Sequence, residues 1–425
     1  MRGGLTLVLG VLTGNLLGFA RVGVIAYLLG THSAADSLAV AQGPIDTVNA
    51  VLINSMLFAF VPMLTACSRE DRAALLRKLN RVFLRIFAAL SVLLIVAAPW
   101  LMRLLAPGLD PQYFGQAVNN LRILSLSTVA AGAGALYCAL LYTDRRFAPT
   151  AFYQAAINLL TVVCAVALWK WFGVYAFAIG FTAGAWVQLA IVYTASRSSL
   201  DRQDRRECDI PWRELVTRPG FFVIYAAGIG LNIIFTRAYA THAGAGMAAA
   251  LDYCMRGVGV PMALLVSPLS NSLLPELARL RALLRIREAL RLIDKTIALA
   301  AAVAAAGCGF ALLFREPAVR LLFQHGSFTQ QSTQMVSAVF LGFGPSLLGW
   351  SLLEITARSL FAMERPWLPV IAAGVPLAVN VTITLWLNSR QPVWIGVGAS
   401  AGLFLGFVVL LAMAHLNRKR WVVHP

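Results

Sequence analysis

The chain has 425 residues, of which 59% are hydrophobic and only 12% are charged, and its formal net charge is +17. A soluble domain carries about 25% charged residues, so this composition excludes an ordinary soluble protein and indicates an integral membrane protein. The positive charge does not indicate a nucleic-acid partner, because the basic residues collect in the breaks between apolar segments.

Apolar segments of about 20 residues, the length that spans a bilayer, recur along the whole chain. The clearest are 5–29, 82–105, 147–169, 174–194, 297–314, 369–387 and 395–416. Backbone groups in lipid must hydrogen-bond internally, so these segments are predicted to be helices. With the weaker segments they predict an all-α membrane protein of about twelve transmembrane helices. We expect an N-terminal six-helix lobe over 1–200, a basic cytoplasmic linker over 201–217 and a C-terminal six-helix lobe over 218–425.

The distribution of basic residues predicts the topology. Of the 35 Lys and Arg residues, about 25 fall in the even-numbered breaks, near 68–80, 144–147, 197–218, 277–295 and 363–367, or at the C-terminus, and about five fall in the odd-numbered breaks. This bias predicts a multi-pass protein with both termini in the cytoplasm. The basic loops would contact anionic lipid headgroups.

Two helix–turn–helix segments align at a constant offset, one beginning at Ala20 and the other at Thr236. The matching pairs are Arg21 with Arg237, Gly30 with Gly246, and Asp36 with Asp252. Six helices per half keep both halves in the same orientation, which predicts a parallel repeat related by an axis along the membrane normal. Two such bundles would face each other across a central cavity.

Five arginines fall within the predicted spans: Arg21, Arg122, Arg237, Arg256 and Arg358. An arginine at the centre of a membrane helix costs about 2.5–3.5 kcal/mol on insertion scales, so it normally faces a cavity or an acidic partner. Arg21 and Arg256 lie deep in their segments, which favours a cavity role. Arg122 is expected to extend to the interface, and Arg237 either extends in the same way or serves function.

The acidic residues leave structural alternatives open. Asp36 and Asp252 either orient the arginines of a binding site or simply form structural ion pairs. Glu354 and Arg358 are four residues apart, so they neutralise each other locally or serve function. An excess of fixed arginines facing a cavity would suit phosphate oxygens, because the planar guanidinium matches them, and would repel a cationic drug.

The sequence lacks the motifs of an enzyme. It contains no G-x-x-x-x-G-K-[ST] loop, no His-Glu-x-x-His and no nucleophile elbow, which favours a transporter without a bound cofactor. The cysteines have no metal-ligand spacing and are interpreted as free thiols packed as small apolar side chains: Cys67, Cys138, Cys164, Cys208, Cys254 and Cys308.

Several local motifs together resemble the MurJ/MviN lipid II flippase family of the multidrug/oligosaccharidyl-lipid/polysaccharide exporter superfamily. The resemblance runs from about residue 5 to about 415 and rests on the motifs L-G-F-A-R ending at Arg21, F-V-P ending at Pro62, L-L-P-E-L ending at Leu277, L-F-Q-H-G-S-F-T ending at Thr329, and A-R-S-L-F-A-M ending at Met363. Gly244, Gly246, Arg256 and Pro261 also match the family's seventh and eighth helices.

The resemblance implies transport of an undecaprenyl-diphosphate-linked saccharide from the inner to the outer leaflet by alternating access. It implies no ATP, with drive from the membrane potential or an ion gradient. The family's cavity residues match Arg21, Arg256 and Asp36, and extend to Arg237 and Arg358; Asp252 is expected to orient the arginines of the second half. Membrane lipids and cell-envelope synthesis enzymes are the expected partners.

The chain also departs from the family pattern. Val22 replaces an acidic residue, Val48 and Asn49 replace a basic pair, Ile53-Asn54 replaces an acidic-Gly step, and about twelve helices replace fourteen. These departures leave open a different lipid-linked glycan as the substrate. Two further hypotheses remain: an ion-coupled small-molecule exporter of the same superfamily, and a non-transporting scaffold of an envelope-synthesis complex.

Overall fold

A computed structural model describes residues 2–66, 69–144, 146–200, 212–262, 266–387 and 390–423. The described residues form helices and connecting turns without a strand, which confirms the all-α membrane class. They group into two compact units, Met1–Val223 and Ile224–Pro425. The predicted linker falls mostly on residues outside the described part of the chain, so the boundaries predicted from the sequence stay predictions.

The first unit contains six complete helices, one of which is buried at its centre. They are α1 (Arg2–Leu29), α2 (Ser33–Ala66), α3 (Arg69–Leu105), α4 (Pro111–Thr143), α5 (Phe147–Phe172) and α6 (Tyr175–Leu200). Helix α4 packs against α2, α3 and α6. An N-cap hydrogen bond from the Gln112 amide to the Asp110 carboxylate begins α4, followed by Pro111 at its first position.

Side-chain hydrogen bonds fix the depth of α4 against its neighbours. The Thr182 hydroxyl of α6 donates to the Ile123 carbonyl over 2.9 Å, and the Ser91 hydroxyl of α3 donates to the Ser125 carbonyl over 2.9 Å. The Asn158 amide of α5 donates to the Gly14 carbonyl of α1 over 3.0 Å. These bonds join the helices as polar side chains do where lipid offers no alternative partner.

Helix α7 (Trp212–Ala243) begins in the first unit and ends in the second. The other helices of the second unit are α8 (Met247–Pro261), α9 (Ser267–Ala282), α10 (Ile286–Leu313), α11 (Arg315–Phe323), α12 (Gln330–Phe343), α13 (Ser346–Ala362), α14 (Trp367–Ala372), α15 (Gly374–Leu387) and α16 (Val397–Val423). A short 3₁₀ helix, Pro392–Ile395, precedes α16.

Buried amides and small residues hold α7, α15 and α16 together. The Asn380 amide of α15 donates to the Asn232 side-chain oxygen over 2.7 Å and to the Thr236 hydroxyl over 2.9 Å. Thr384 donates to the Asn380 side-chain oxygen over 3.0 Å. Gly398 of α16 faces Asn380 and Thr384 where a Cβ would clash, so a residue without a side chain lets the two helices approach.

Fewer than twelve helices of the described residues have the length and hydropathy of a membrane span. Nine helices of the described residues are long and apolar enough to cross a membrane, and the pair α12–α13, bent by 43°, gives a tenth. The bend falls at Gly344 and Pro345, where a kink has an identifiable cause. Helix α2 and the pair α8–α9 do not meet the same criterion. The twelve-helix count and the repeat therefore stay predictions.

Two predicted loops are largely helical. The predicted break at 277–295 reduces to residues 283–285, between α9 and α10, and much of the predicted break at 68–80 belongs to α3. Arginine and lysine are good helix formers, so a helix that leaves the apolar layer continues through its basic residues. The loss of apolar character marks the membrane boundary in these segments rather than the end of the helix.

The cysteine interpretation holds for the residues that can be judged. Cys138, Cys164, Cys254 and Cys308 are free thiols. Cys67 and Cys208 lie outside the described residues.

We expect that substitution of the small residues between α5 and α6 destabilises the first unit. A Cβ on Gly180 would lie 2.7 Å from the Thr161 Cα, and a Cβ on Gly184 would lie 2.6 Å from the Ile157 Cα. Gly180→Val or Gly184→Val should each cost about 1–3 kcal/mol through overpacking, read as a lower melting temperature in detergent. Gly115→Val, at an exposed helical position with nothing within 4 Å, is the matched control. Equal melting temperatures for Gly184→Val and Gly115→Val would contradict the prediction.

Candidate functional site

The hairpin of α7 and α8 brings three of the predicted site residues together. Its turn contains Gly244 and Gly246 at φ values of 142° and 82°, which glycine adopts without a steric penalty. Arg237 of α7 donates a hydrogen bond to the Asp252 carboxylate of α8. On the other side of the same carboxylate, the Arg256 Nε lies 3.8 Å from Asp252 Oδ2. One carboxylate therefore lies between two guanidinium groups, and the three side chains carry one net positive charge.

We call Arg237, Asp252 and Arg256 the hairpin cluster. Its two arginines differ in solvent accessibility. The Arg237 side chain is 8% exposed and the Arg256 side chain is 33% exposed. An enclosed arginine in an apolar environment needs its carboxylate partner, because an uncompensated buried charge is strongly destabilising. Arg237 and Asp252 thus form the buried part of the cluster, and Arg256 is the cation that a ligand can reach.

Arg358 lies apart from the hairpin cluster. Its Nε donates to Glu354 over 2.6 Å, one helical turn earlier in α13, so the local pair predicted from their spacing is confirmed. Tyr225 of α7 packs edge-on against Phe361 of α13, with 5.7 Å between the ring centroids. Tyr225 precedes Arg237 by twelve residues, so it lies about 18 Å from Arg237 along α7. Its contact Phe361 follows Arg358 by three residues on α13, so Arg358 and Arg237 lie at different levels of the second unit. A single diphosphate does not reach across this distance.

Arg21 and Asp36 belong to the hairpin of α1 and α2 in the first unit. Gly30 forms its turn at a φ of 55°. Both residues are buried: the Arg21 guanidinium carbon lies 5.7 Å from the centre of the Phe181 ring of α6, and Asp36 lies in the first turn of α2. A carboxylate is favourable there, because the N-terminal end of a helix carries partial positive charge.

A row of polar side chains between α2 and α4 was not identified from the sequence. The Ser37 hydroxyl donates to the Gln116 side-chain oxygen over 2.9 Å, and the Asn49 amide donates to the Ser127 hydroxyl over 3.2 Å. The two bonds join residues 79 and 78 positions apart, so the helices run parallel in register. Between these bonds Asn120 is fully buried on α4. The signal that could have found this row is the repeated amide or hydroxyl at that offset.

The row also accounts for one departure from the expected family pattern. Asn49 stands where a basic residue was expected, and its amide is used in packing against α4. Asn54, where a glycine was expected, is exposed and donates to the Ala50 carbonyl of its own helix. The middle of α2 therefore contributes hydrogen-bonding amides to the first unit, and no cation at either of these positions.

Arg122 is the remaining arginine of the predicted spans. Arg122 is exposed on α4, where it donates to the Ile95 carbonyl and to Asn119 over 3.4 Å each. Among the described residues, no group of three or more His, Cys, Asp or Glu side chains is arranged to hold a metal ion.

Comparisons with known proteins agree on one family. A family model described as lipid II flippase MurJ matches residues 25–425. A probable lipid II flippase MurJ of Rhizobium meliloti is 27% identical over 392 residues, which cover 88% of this chain and 72% of that relative. A lipid II flippase MurJ of Burkholderia cenocepacia is 26% identical over 441 residues, which cover 97% of this chain and 83% of that relative.

Solved structures show the same fold at lower identity. A lipid II flippase MurJ in an inward closed conformation superposes with a TM-score of 0.83 at 17% identity, covering 98% of this chain and 90% of the other. A multidrug resistance MATE family transporter of the MOP superfamily, in an inward-facing conformation, gives 0.78 at 13% identity, covering 97% and 96%. Identities this low establish the fold, which these transporters share.

We expect that Asp252 is the residue on which the stability of the hairpin cluster depends. Asp252→Asn leaves the enclosed Arg237 without its counter-charge and should destabilise the protein by about 3–5 kcal/mol. Glu354→Gln is the matched control, because Arg358 is 29% exposed and better hydrated, so the loss there should be smaller.

The combination Asp252→Asn with Arg237→Gln should recover most of the stability, because no uncompensated charge stays buried. Thermal unfolding of the three variants in detergent measures these differences. A loss for Glu354→Gln equal to that for Asp252→Asn would show that enclosure of the arginine does not decide the cost.

Proposed function

Because the chain belongs to the lipid II flippase MurJ family, we propose that it moves an undecaprenyl-diphosphate-linked saccharide from the inner to the outer leaflet of the bacterial cytoplasmic membrane by alternating access. The substrate is lipid II or a related lipid-linked glycan precursor. The chain is a multi-pass membrane transporter and not an enzyme. Its relatives supply the substrate class, and native mass spectrometry, described below, identifies the glycan.

The hairpin cluster is the observation that carries this proposal. It holds a net positive charge within apolar helices and leaves Arg256 one-third exposed. A guanidinium presents paired N–H donors that match the oxygens of a diphosphate. A cationic drug would meet repulsion at the same position, so the small-molecule exporter is the weaker hypothesis for a cationic substrate.

The roles of the individual residues follow from their accessibility. Arg256 contacts the diphosphate, while Asp252 and Arg237 hold the Arg256 side chain in place from the buried side. Arg21 is the proposed substrate-binding guanidinium of the first unit, oriented through Asp36. Arg358, on α13 at a different level of the second unit, contacts the substrate at a different stage of its passage.

The topology gives these residues a depth in the bilayer. We propose that both termini are cytoplasmic, as the basic residues of the even-numbered breaks indicate. The α7–α8 turn then lies at the outer surface, and Arg256, ten residues after Gly246, lies about 15 Å below it. In a hydrocarbon core about 30 Å thick, that depth is close to the midplane. Arg358 then lies toward the cytoplasmic side.

Arg256→Ala is expected to reduce transport about tenfold or more without preventing insertion, because a charge-assisted hydrogen bond contributes about 1.5–3 kcal/mol. The measurement is the transport of lipid II between the two leaflets of vesicles that contain the reconstituted protein. Arg103→Ala, at an exposed position in the last turn of α3, is the matched control and should transport normally. Normal transport by Arg256→Ala would exclude the site.

The substrate is identified by native mass spectrometry of the purified protein with its retained lipids. The wild type and Arg103→Ala should retain an undecaprenyl-diphosphate-linked glycan, whose mass names the sugar, and Arg21→Ala/Arg256→Ala should lose it. A different small molecule retained by the wild type would favour the exporter hypothesis. Full function in cells of a variant that transports nothing in vesicles would favour a scaffold of cell-envelope synthesis enzymes.

The membrane potential is one proposed source of drive, and an ion gradient is the other. A diphosphate carries about two negative charges, and moving each outward across an inside-negative potential releases about 2.3 kcal/mol per 100 mV. Clamping the potential of the vesicles to zero should slow export if the potential drives it. Undiminished export at zero potential, lost when the ion gradients are removed, would assign the drive to an ion.

A further inference from the structure

A small cavity lies in the second unit, at a corner where the ends of five helices meet. Helix α9 ends there, α10 begins, α13 turns into α14, and α16 approaches its last turn. The cavity has a volume of about 130 Å³ and is lined by Arg281, Ile286, Met363, Glu364, Arg365 and Trp421. We call it the corner cavity. Pockets for drug-sized ligands are about 300–1,000 Å³, so the corner cavity suits a single small group.

Two similar turns border the corner cavity. Leu284 after α9 and Glu364 after α13 adopt positive φ values of 56° and 53°, which are uncommon for residues with a side chain. In each turn the amide of the following arginine reaches a carbonyl five residues back: Arg285 to Leu280 and Arg365 to Leu360, over 2.9 Å in both cases. This bond pattern is that of a Schellman motif, which fixes the direction in which the chain leaves the helix.

The floor of the corner cavity is apolar and its rim is charged. Trp421, Met363 and Ile286 are buried. The Arg365 guanidinium carbon lies 5.9 Å from the centre of the Trp421 ring. A cation above an aromatic face is attracted by the ring quadrupole and is held in orientation there. The cavity therefore combines a guanidinium rim with a surface suited to hydrocarbon.

The Glu364 carboxylate marks where an oxyanion fits. The two terminal nitrogens of Arg281 contact the two Glu364 carboxylate oxygens, at 2.5 Å and 2.6 Å. This paired geometry is the one that a guanidinium also offers to a phosphate. The Glu364 side chain is 70% exposed, so it can turn into solvent at small cost. A phosphate that enters the cavity can then take its place on Arg281.

The corner cavity lies at the level of the lipid headgroups. The charged first part of α10, residues 286–295, precedes its apolar part, and the C-terminal span ends at Arg418, about one turn before Trp421. Beside the cavity, Arg287, Arg291 and Lys295 are exposed on α10 at intervals of four residues, so they share one face. Both carboxylates in this part of α10 are already paired: Glu288 with Arg285 and Asp294 with Arg418.

From these features we propose that the corner cavity binds the phosphate of an anionic phospholipid headgroup. Arg281 and Arg365 hold the phosphate oxygens, Glu364 turns outward, and Trp421 packs against the glycerol end of the acyl chains. The basic face of α10 attracts the anionic surface from which the lipid comes. This site is separate from the hairpin cluster and does not depend on the transported substrate.

The test is native mass spectrometry of the full-length protein, titrated with phosphatidylglycerol and separately with phosphatidylcholine. Wild type should retain phosphatidylglycerol preferentially, and Arg281→Gln/Arg365→Gln should weaken that retention about tenfold or more, as loss of charge-assisted bonds requires. Arg279→Gln, at the same helix end but paired with Glu276, is the matched control. Equal retention by wild type and the double variant would overturn the proposal.

Two further measurements guard against misfolding and identify the source of the phosphate. Glu364→Gln removes the internal competitor and should raise the affinity for phosphatidylglycerol, a gain that a misfolded protein would not give. Unchanged or weaker binding by Glu364→Gln would contradict the proposed exchange. Inorganic phosphate at millimolar concentration should not displace the lipid; displacement by free phosphate alone would assign the cavity to a soluble anion instead.

Discussion

The ion pair between Arg237 and Asp252 is the interaction on which the described site depends. Lipid offers no water to hydrate an enclosed guanidinium, so the charge must be met by a carboxylate within the protein. The glycines of the α7–α8 turn bring the two residues level. Because Asp252 also lies near Arg256, the same carboxylate orients the cation that stays accessible. Stability and the proposed binding of an anion are thus coupled in one hairpin.

In the first unit, buried polar groups are paired by neutral side chains as well as charged ones. Its α1–α2 hairpin carries Arg21 and Asp36, while the middle of α2 is joined to α4 by amides and hydroxyls. An amide satisfies a buried neighbour without adding charge, and interhelical hydrogen bonds of this kind contribute about 0.6–2 kcal/mol each. Where the family pattern has a basic pair, this chain has packing. Any phosphate recognition must therefore rest on fewer arginines, which gives each of them greater weight.

Arginine serves different purposes at different depths. Within the apolar helices, Arg237 and Arg358 are matched to single carboxylates on the same or a neighbouring helix. At the helix ends, Arg365 lies over an aromatic ring and Arg281 forms a paired contact with an exposed carboxylate. The guanidinium suits both settings because its charge is delocalised, weakly hydrated and directional. The described arginines are thus divided between ion pairs within the helices and contacts at the helix ends.

Composition and local spacing determined much of this protein. They predicted the membrane class, the two hairpins that each carry an arginine, a turn glycine and an aspartate, the Glu354–Arg358 pair and the free thiols. Hydropathy and helical periodicity act over a few residues, so a linear pattern contains them. Only the tertiary structure decided that Arg237 is enclosed while Arg256 is reachable, and that Arg358 lies apart from both. It also decided that helices continue through predicted loops and that Arg281, Glu364 and Trp421 meet at one corner. Exposure and long-range contacts depend on which face of a helix meets which neighbour, and a linear pattern does not contain that information.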